Sequence, residues 1–228
     1  MKKAGFTLAE LLITFVVVGI IAVMTIPLLI TRTNEQETVV TVKKAYSILS
    51  QAYEKIITDE GTIVPSELGN NETEATENFG KIFAKHLNVI QNCGTSANSK
   101  CFANETYKYL NGSEWGNLSS FTEYKLRLND GMSLYFHVYN TYNSWGESPM
   151  LKNAYGFINI DTNGDKKPNT LGKDVFTFYI TKDLIVPAGT PEETNVHSLD
   201  TCKIYGSGCT TWVLAKGNMD YLRKDVSW

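Results

Sequence analysis

A run of 25 residues, Phe6 to Ile30, decides most of what this chain can become, because sixteen of them are Leu, Ile, Phe or Val and only Glu10 carries a charge. As a helix the run spans roughly 37 Å at about 1.5 Å per residue, enough to cross a hydrocarbon core of about 30 Å. An ionised carboxylate at the centre of such a helix costs about 2.5–3.5 kcal/mol on insertion scales. Each large apolar residue favours insertion by about 0.3–0.6 kcal/mol, so the run inserts in spite of an acid placed near its end. Lys2 and Lys3 precede it, and positive charge holds that end on the cytoplasmic side. The rest of the chain is therefore expected to be exported. An ordinary secretory signal fits poorly, since its apolar region runs about 7–15 residues and closes with small residues. Here Thr31-Arg32-Thr33-Asn34-Glu35-Gln36 follows instead. A plain membrane anchor would leave Glu10 without a reason.

Lys2-Lys3-Ala4-Gly5 followed by Phe6-Thr7-Leu8-Ala9-Glu10-Leu11-Leu12-Ile13 resembles the processing signal of the type IV pilin and type II secretion pseudopilin superfamily. The resemblance covers roughly the first 30 of 228 residues and is specific in combining leader length, Gly, Phe, Glu and span. It implies cleavage between Gly5 and Phe6 by a prepilin peptidase and N-methyltransferase, with methylation of the new Phe6 amine. It further implies assembly with other pilin or pseudopilin subunits through the N-terminal helix, on an inner-membrane platform and in contact with lipid. Glu10 falls where the family places the acid that attracts the N-terminal amine of a neighbouring subunit. Pro27 matches a proline that commonly bends the membrane helix. Each role has a physical basis. Glycine lets a protease approach the backbone closely, a buried amine and carboxylate relieve each other's desolvation, and a helical proline removes one backbone hydrogen bond.

Four segments are expected: a leader at 1–5, a membrane-spanning part at 6–30, an amphipathic continuation at 31–60 and an exported head at 61–228. Val42, Ala45, Tyr46, Leu49, Ala52, Tyr53 and Ile56 recur at three- and four-residue spacing, the stripe of a helix with one buried face. That helix is expected to reach about Asp59, with Gly61 as its stop. A second helix is expected over Glu77 to Gln91. Phe121–Asn129 and Met132–Tyr139 read as strands joined at Asn129-Asp130-Gly131, a strong hairpin signal. Tyr155–Ile160 and Val175–Thr181 form a second pair, and Val213-Leu214 a short last strand. Helix followed by antiparallel strands is an α+β pattern. A long helix packed on an antiparallel sheet is also the fold that the family resemblance implies.

Four cysteines, Cys93, Cys101, Cys202 and Cys209, lie beyond the span. An even count in an oxidising compartment favours disulfides between near neighbours, although sequence leaves the other pairings open. The spacing within each pair does not suit zinc. Pilins of this family often close the C-terminal region with a disulfide, which is where the resemblance would place Cys202–Cys209. Asp161, Asn163 and Asp165, with Asp174 further on, resemble the start of a calcium loop. Lys166 stands where the invariant glycine belongs and Gly172 where the bidentate glutamate belongs, so the segment reads in the first place as a turn-rich hairpin connection. Apart from that calcium option, no cofactor is expected.

His86, His137 and His197 belong to no metal or acid–base motif, and no hydrolase, zinc-protease or phosphate-loop signature occurs. His86 is expected on an exposed helix face, and His137 within a strand. A net charge of −3 gives no electrostatic footprint for nucleic acid. The expected role is that of a structural subunit in the bacterial inner membrane, a pseudopilin or minor pilin rather than an enzyme. The alternative is a membrane-anchored exported module recognising a substrate, a surface or DNA, for which the many Tyr and Trp residues of the head would serve.

Overall fold

The computed structural model describes Gly5 and residues 7–143, 149–193, 195 and 197–228, and these form two compact units that divide after Glu37. Helix α1 runs Leu8–Glu60. In the first unit its large apolar residues, Leu12, Phe15, Val18 and Ile21 among them, are exposed. By length and composition this stretch is able to cross a membrane. The hydroxyls within it are satisfied by the helix's own backbone: Thr14 Oγ1 donates to Leu11 O at 2.8 Å, Thr25 Oγ1 to Ile21 O at 2.8 Å and Thr31 Oγ1 to Pro27 O at 3.0 Å. Such bonds remove the cost of carrying a polar side chain through an apolar medium. Pro27 lies inside the helix, so the carbonyl one turn before it loses its usual donor.

In the second unit α1 presents Val39, Val42, Ala45, Leu49, Ala52, Tyr53 and Ile56 to a core in which each is buried. The helix ends where expected, with Gly61 at φ +86° and its N–H on Ile57 O at 3.1 Å. Tyr53 ties helix to sheet. Its hydroxyl lies 2.8 Å from that of Tyr155 and donates to Thr181 O at 2.6 Å. After the one-turn helix α2 (Pro65–Leu68) comes α3 (Glu72–Ala84), opened by the Asn71 side chain accepting from Glu74 N. The Phe79 and Phe83 rings of α3 pack on Phe136 at 5.8 and 5.2 Å between centroids. Gly80 is needed here, because a Cβ at that position would strike the Tyr124 ring.

Six antiparallel strands make the sheet in the order β1 (Val89–Gly94), β4 (Tyr124–Leu128), β5 (Ser133–Asn143), β6 (Ala154–Asp161), β7 (Val175–Thr181) and β8 (Ile185–Pro187). A separate pair, β2 (Tyr107–Lys108) and β3 (Glu114–Gly116), lies outside it. The β4–β5 hairpin closes as its Asp-Gly turn predicts, with Arg127 opposite Ser133. Strand periodicity divides the sheet's faces. Leu134, Phe136, Ile158, Phe176 and Phe178 join the α1 core, while Tyr135 and Val175 belong to a second cluster. The architecture is α+β and consistent with a pilin-like fold.

Three expectations need correction. The second helix starts five residues earlier than Glu77 and stops at Ala84, and β-branched Val89 and Ile90 enter edge strand β1, paired with β4. His86 accordingly sits in the turn after α3, with its side chain only 14% exposed. Val213 and Leu214 lie in helix α5 (Thr210–Lys216), not in a strand; α5 follows the single turn α4 (Cys202–Tyr205) and ends on Gly217 in the left-handed region. Trp212 and Val213 are buried there while Lys216 is exposed, a helical rather than an alternating distribution.

Candidate functional sites

Gly5 is exposed, and Phe6, on which cleavage and methylation were expected, lies outside the described residues. Glu10 caps its own helix. Thr7 N donates to Glu10 Oε2 at 2.8 Å, Thr7 Oγ1 donates to the same oxygen at 2.9 Å, and Glu10 N donates back to Thr7 Oγ1 at 3.3 Å. This reciprocal pair is a capping box, which satisfies two donors that the first turn would otherwise leave unpaired. Thr7-Leu8-Ala9-Glu10 carries the S/T-x-x-E signature in full view, a signal the reading of Glu10 as an intersubunit acid passes over. The two roles are compatible, because only Oε2 is engaged by Thr7.

Both disulfides join sequence neighbours, Cys93–Cys101 and Cys202–Cys209, with Cα–Cα distances of 6.2 and 5.1 Å, and no free cysteine remains. The Asp161 and Asp174 carboxylates of the 161–174 loop are held by the loop's own donors and by Tyr107. Asp161 Oδ1 accepts from Asn163 N at 3.1 Å and Gly164 N at 2.9 Å, and Oδ2 accepts from Tyr107 OH at 2.8 Å. Asp174 accepts from Thr170 N at 2.6 Å and from Asn169 N at 2.7 Å, and Asn163 Nδ2 reaches it at 3.2 Å. Asp165 turns elsewhere and forms a fork with Arg127, whose Nη1 donates to Oδ2 at 2.8 Å. Asp161, Asn163 and Asp174 therefore meet, Asp165 does not join them, and the carboxylate oxygens are taken up by N–H and O–H donors. Among the described residues no group of three or more His, Cys, Asp or Glu is placed to hold a metal.

Burial, and then repulsion from Asp174, pushes the Asp161 carboxyl up to about 8. Burial raises Asp174 as well. Other buried ionisable groups are likewise absorbed by their surroundings. Lys125, held below its ordinary value by burial, donates to Ser119 O at 3.0 Å and to Phe121 O. Glu193, raised by burial, accepts from Gly189 N at 2.7 Å and from Tyr179 OH. His137 stacks on Phe157 at 5.2 Å and lies 3.7 Å from both Glu72 and Glu123. These are arrangements that satisfy polar groups inside a fold.

The segment with site character is thus the N-terminal one, an exposed glycine beside a capped helix whose first part is apolar and bears one acid. Residues 1–26 match the family model of the prokaryotic N-terminal methylation motif. The motif is a signal of the type IV pilin and pseudopilin kind and supports a pilin-like or pseudopilin-like protein, a structural subunit. It implies processing by a prepilin peptidase and assembly with other pilin subunits, and with the apolar helix it is consistent with an inner-membrane anchor. No curated protein and no solved structure matches the chain.

Proposed function

We propose that the protein is a subunit, a pseudopilin or minor pilin, of a type II secretion pseudopilus or type IV pilus. Prepilin peptidase cleaves between Gly5 and Phe6, the Phe6 amine is methylated, and the N-terminal helix carries the subunit from the inner membrane into the filament. The methylation motif running directly into a helix of membrane-crossing length supports this reading above all else. Two disulfides with no free cysteine favour an exported head, since such bonds persist in oxidising compartments.

Within the filament the Phe6 amine of one subunit neutralises Glu10 of another. Leaving either charge alone in a dry helical bundle would cost about 3–5 kcal/mol. Mass spectrometry of protein extracted from membranes tests the processing step. The expected species begins at Phe6 and carries one methyl group; a chain still starting at Met1, or cut after the apolar run, would overturn the reading.

A further inference from the structure

The sheet face turned away from α1 holds a cavity of about 330 Å³, within the size range of small-molecule sites. Its walls are aromatic: Tyr109, Trp115, Tyr135, Phe157 and Tyr205 all line it. Tyr109 meets Tyr205 edge-on at 5.6 Å, and Trp115 meets Tyr135 at 6.0 Å. Its polar groups are few and neutral. Asn159 and Thr177 line it from β6 and β7, linked by Thr177 Oγ1 donating to Asn159 Oδ1 at 2.6 Å, while Asn159 Nδ2 donates to Tyr135 OH at 2.8 Å. His197 and Ser207 stand on another wall with Nδ1 and Oγ 2.6 Å apart. Burial holds the His197 imidazole down to about 4, so it is uncharged at neutral pH. Among the described lining residues there is no Asp, Glu, Lys or Arg.

The wall is held in place independently of any ligand. Tyr205 and Ser207 sit inside the loop closed by Cys202–Cys209. Gly206 between them presses on Leu171 so closely that a Cβ would collide with the Leu171 carbonyl. A site fixed in this way loses little entropy on binding.

We propose that this cavity binds a neutral pyranose, as a free sugar or as a residue of a glycan. The chemistry of the lining selects it. An anion would find no cation there. A quaternary ammonium would find aromatic faces but no counter-charge, and would offer no hydrogen bonds to Asn159, Thr177, His197 and Ser207. A purely aliphatic ligand would leave the second N–H of Asn159 and the O–H of Tyr135 without an acceptor, and a buried polar group left unpaired costs about 1–3 kcal/mol. A sugar ring combines an apolar C–H face, which stacks on an aromatic ring, with hydroxyls at its edge. Asn159 retains a second N–H and Tyr135 its O–H for those hydroxyls. The inference is independent of how the N-terminal helix assembles.

The test uses the full chain in nanodiscs of phosphatidylethanolamine and phosphatidylglycerol, which contain neither sugar nor choline. Probes are the methyl glycosides of glucose, galactose and N-acetylglucosamine, with the corresponding linear tetrasaccharides, followed by saturation-transfer NMR. Saturable binding of at least one methyl glycoside is expected; tighter binding of its tetrasaccharide would identify a glycan chain as the source, and equal binding a free sugar. Tyr205→Ala should weaken binding about tenfold, the effect of one lost aromatic contact, and His197→Leu should weaken it too, whereas Tyr142→Ala outside the cavity should not. Because Trp115 also packs on Phe121 and Tyr135, the variants are confined to Tyr205 and His197, and each is checked for an unchanged melting temperature. Absence of saturable binding for every sugar up to tens of millimolar would overturn the proposal. So would binding unaffected by both variants, or tetramethylammonium binding as tightly as the glycosides.

Discussion

The two stretches of α1 show how differently one helix can spend its apolar residues. From Leu8 to Ile30 large hydrophobic side chains face outward on every side. From Thr38 to Glu60, Val40 apart, they gather on one face, and Val42, Ala45, Leu49, Ala52, Tyr53 and Ile56 along it are buried to within a few per cent. A helix apolar all round has no aqueous surface to offer, so its partners must be lipid or other helices. An amphipathic helix is satisfied by its own sheet. Substitutions in the first stretch should therefore alter what the chain joins, and substitutions in the second should alter whether the head folds.

The sharpest way to break that division is at Glu10, which serves both its own cap and the proposed intersubunit pair. Loss of a cap costs about 1 kcal/mol, whereas stranding one member of a buried ion pair costs about 3–5 kcal/mol. Three variants separate the two. Thr7→Val removes the cap and keeps the acid, so incorporation into sheared filaments should fall only slightly. Glu10→Gln keeps a side chain able to complete the capping box but has no charge, and Glu10→Leu has neither. Both should leave processed protein in the inner membrane with a normally melting head, at least a hundredfold depleted from filaments. Normal incorporation of Glu10→Gln would show that the cap is the whole role of the acid.

A second comparison sets Leu49 against Leu12. Leu49 is fully buried against the sheet and Leu12 is 58% exposed. Leu49→Ala should destabilise the head by about 2–5 kcal/mol, read as a lowered thermal midpoint by near-ultraviolet circular dichroism of the full chain. Leu12→Ala should leave that midpoint unchanged. A comparable drop from both would mean that the two stretches are not energetically separate.

The difference between the stretches also explains what could be read beforehand. Unbroken hydrophobicity and a four-residue stripe are local signals, so α1 and its stop at Gly61 are legible, as is the hairpin at Asp130-Gly131. The errors fall where a few residues satisfy two periods at once. Leu87 and Ile90 continue the spacing of Phe79 and Phe83, yet hydrogen bonding to β4 draws Val89 and Ile90 into a strand. Val213-Leu214 is too short a pair to show its period, although Lys216-Gly217 marks a helix end. The β8 strand is three residues long and contains Pro187, a poor strand signal that an edge position tolerates. At the candidate sites, the N-terminal motif is contiguous and readable. The aromatic cavity gathers residues from Tyr109 to Ser207, and no spacing along the chain announces it.

Within the head, two buried groups should sharpen the contrast through pH. The folded Asp161 keeps its proton up to about 8, while an unfolded aspartate releases it near 3.9. Its contribution is therefore complete below about pH 3.9 and is lost as pH rises toward 8. His197 works oppositely. Its folded value of about 4 lies below an unfolded value of about 6.5, so its contribution is present above 6.5 and lost as pH falls toward 4. Between pH 6.5 and 8 the Asp161 limb acts without the His197 limb. Head stability should decline across that window by no more than about 1.4 kcal/mol per pH unit from this group. Asp161→Asn, which can still accept from Asn163 N and Gly164 N, should flatten the decline. An unchanged slope would mean that Asp161 is ionised in the folded head.

The smallest effect is expected from calcium, and it addresses the same loop. For a cation to bind, Asp161 would have to release its proton, and its oxygens and those of Asp174 would have to share their lone pairs between the metal and the donors they hold, Asn163, Gly164 and Tyr107 on one and Asn169 and Thr170 on the other. Asp165 would have to leave Arg127, which is bound to it through two nitrogens. Each charge-assisted hydrogen bond broken costs about 1.5–3 kcal/mol before any coordination is gained. A ligand that binds only the native state raises stability with its concentration, by about 2.7 kcal/mol at a hundred times its dissociation constant. Millimolar calcium should therefore leave the head's melting temperature where chelator leaves it, at pH 6.5 and at pH 8 alike. A rise at pH 8 that is absent at pH 6.5 would show the opposite: that Asp161, once ionised, exchanges its backbone donors for the metal, and that the loop's self-bonded form is only its protonated state.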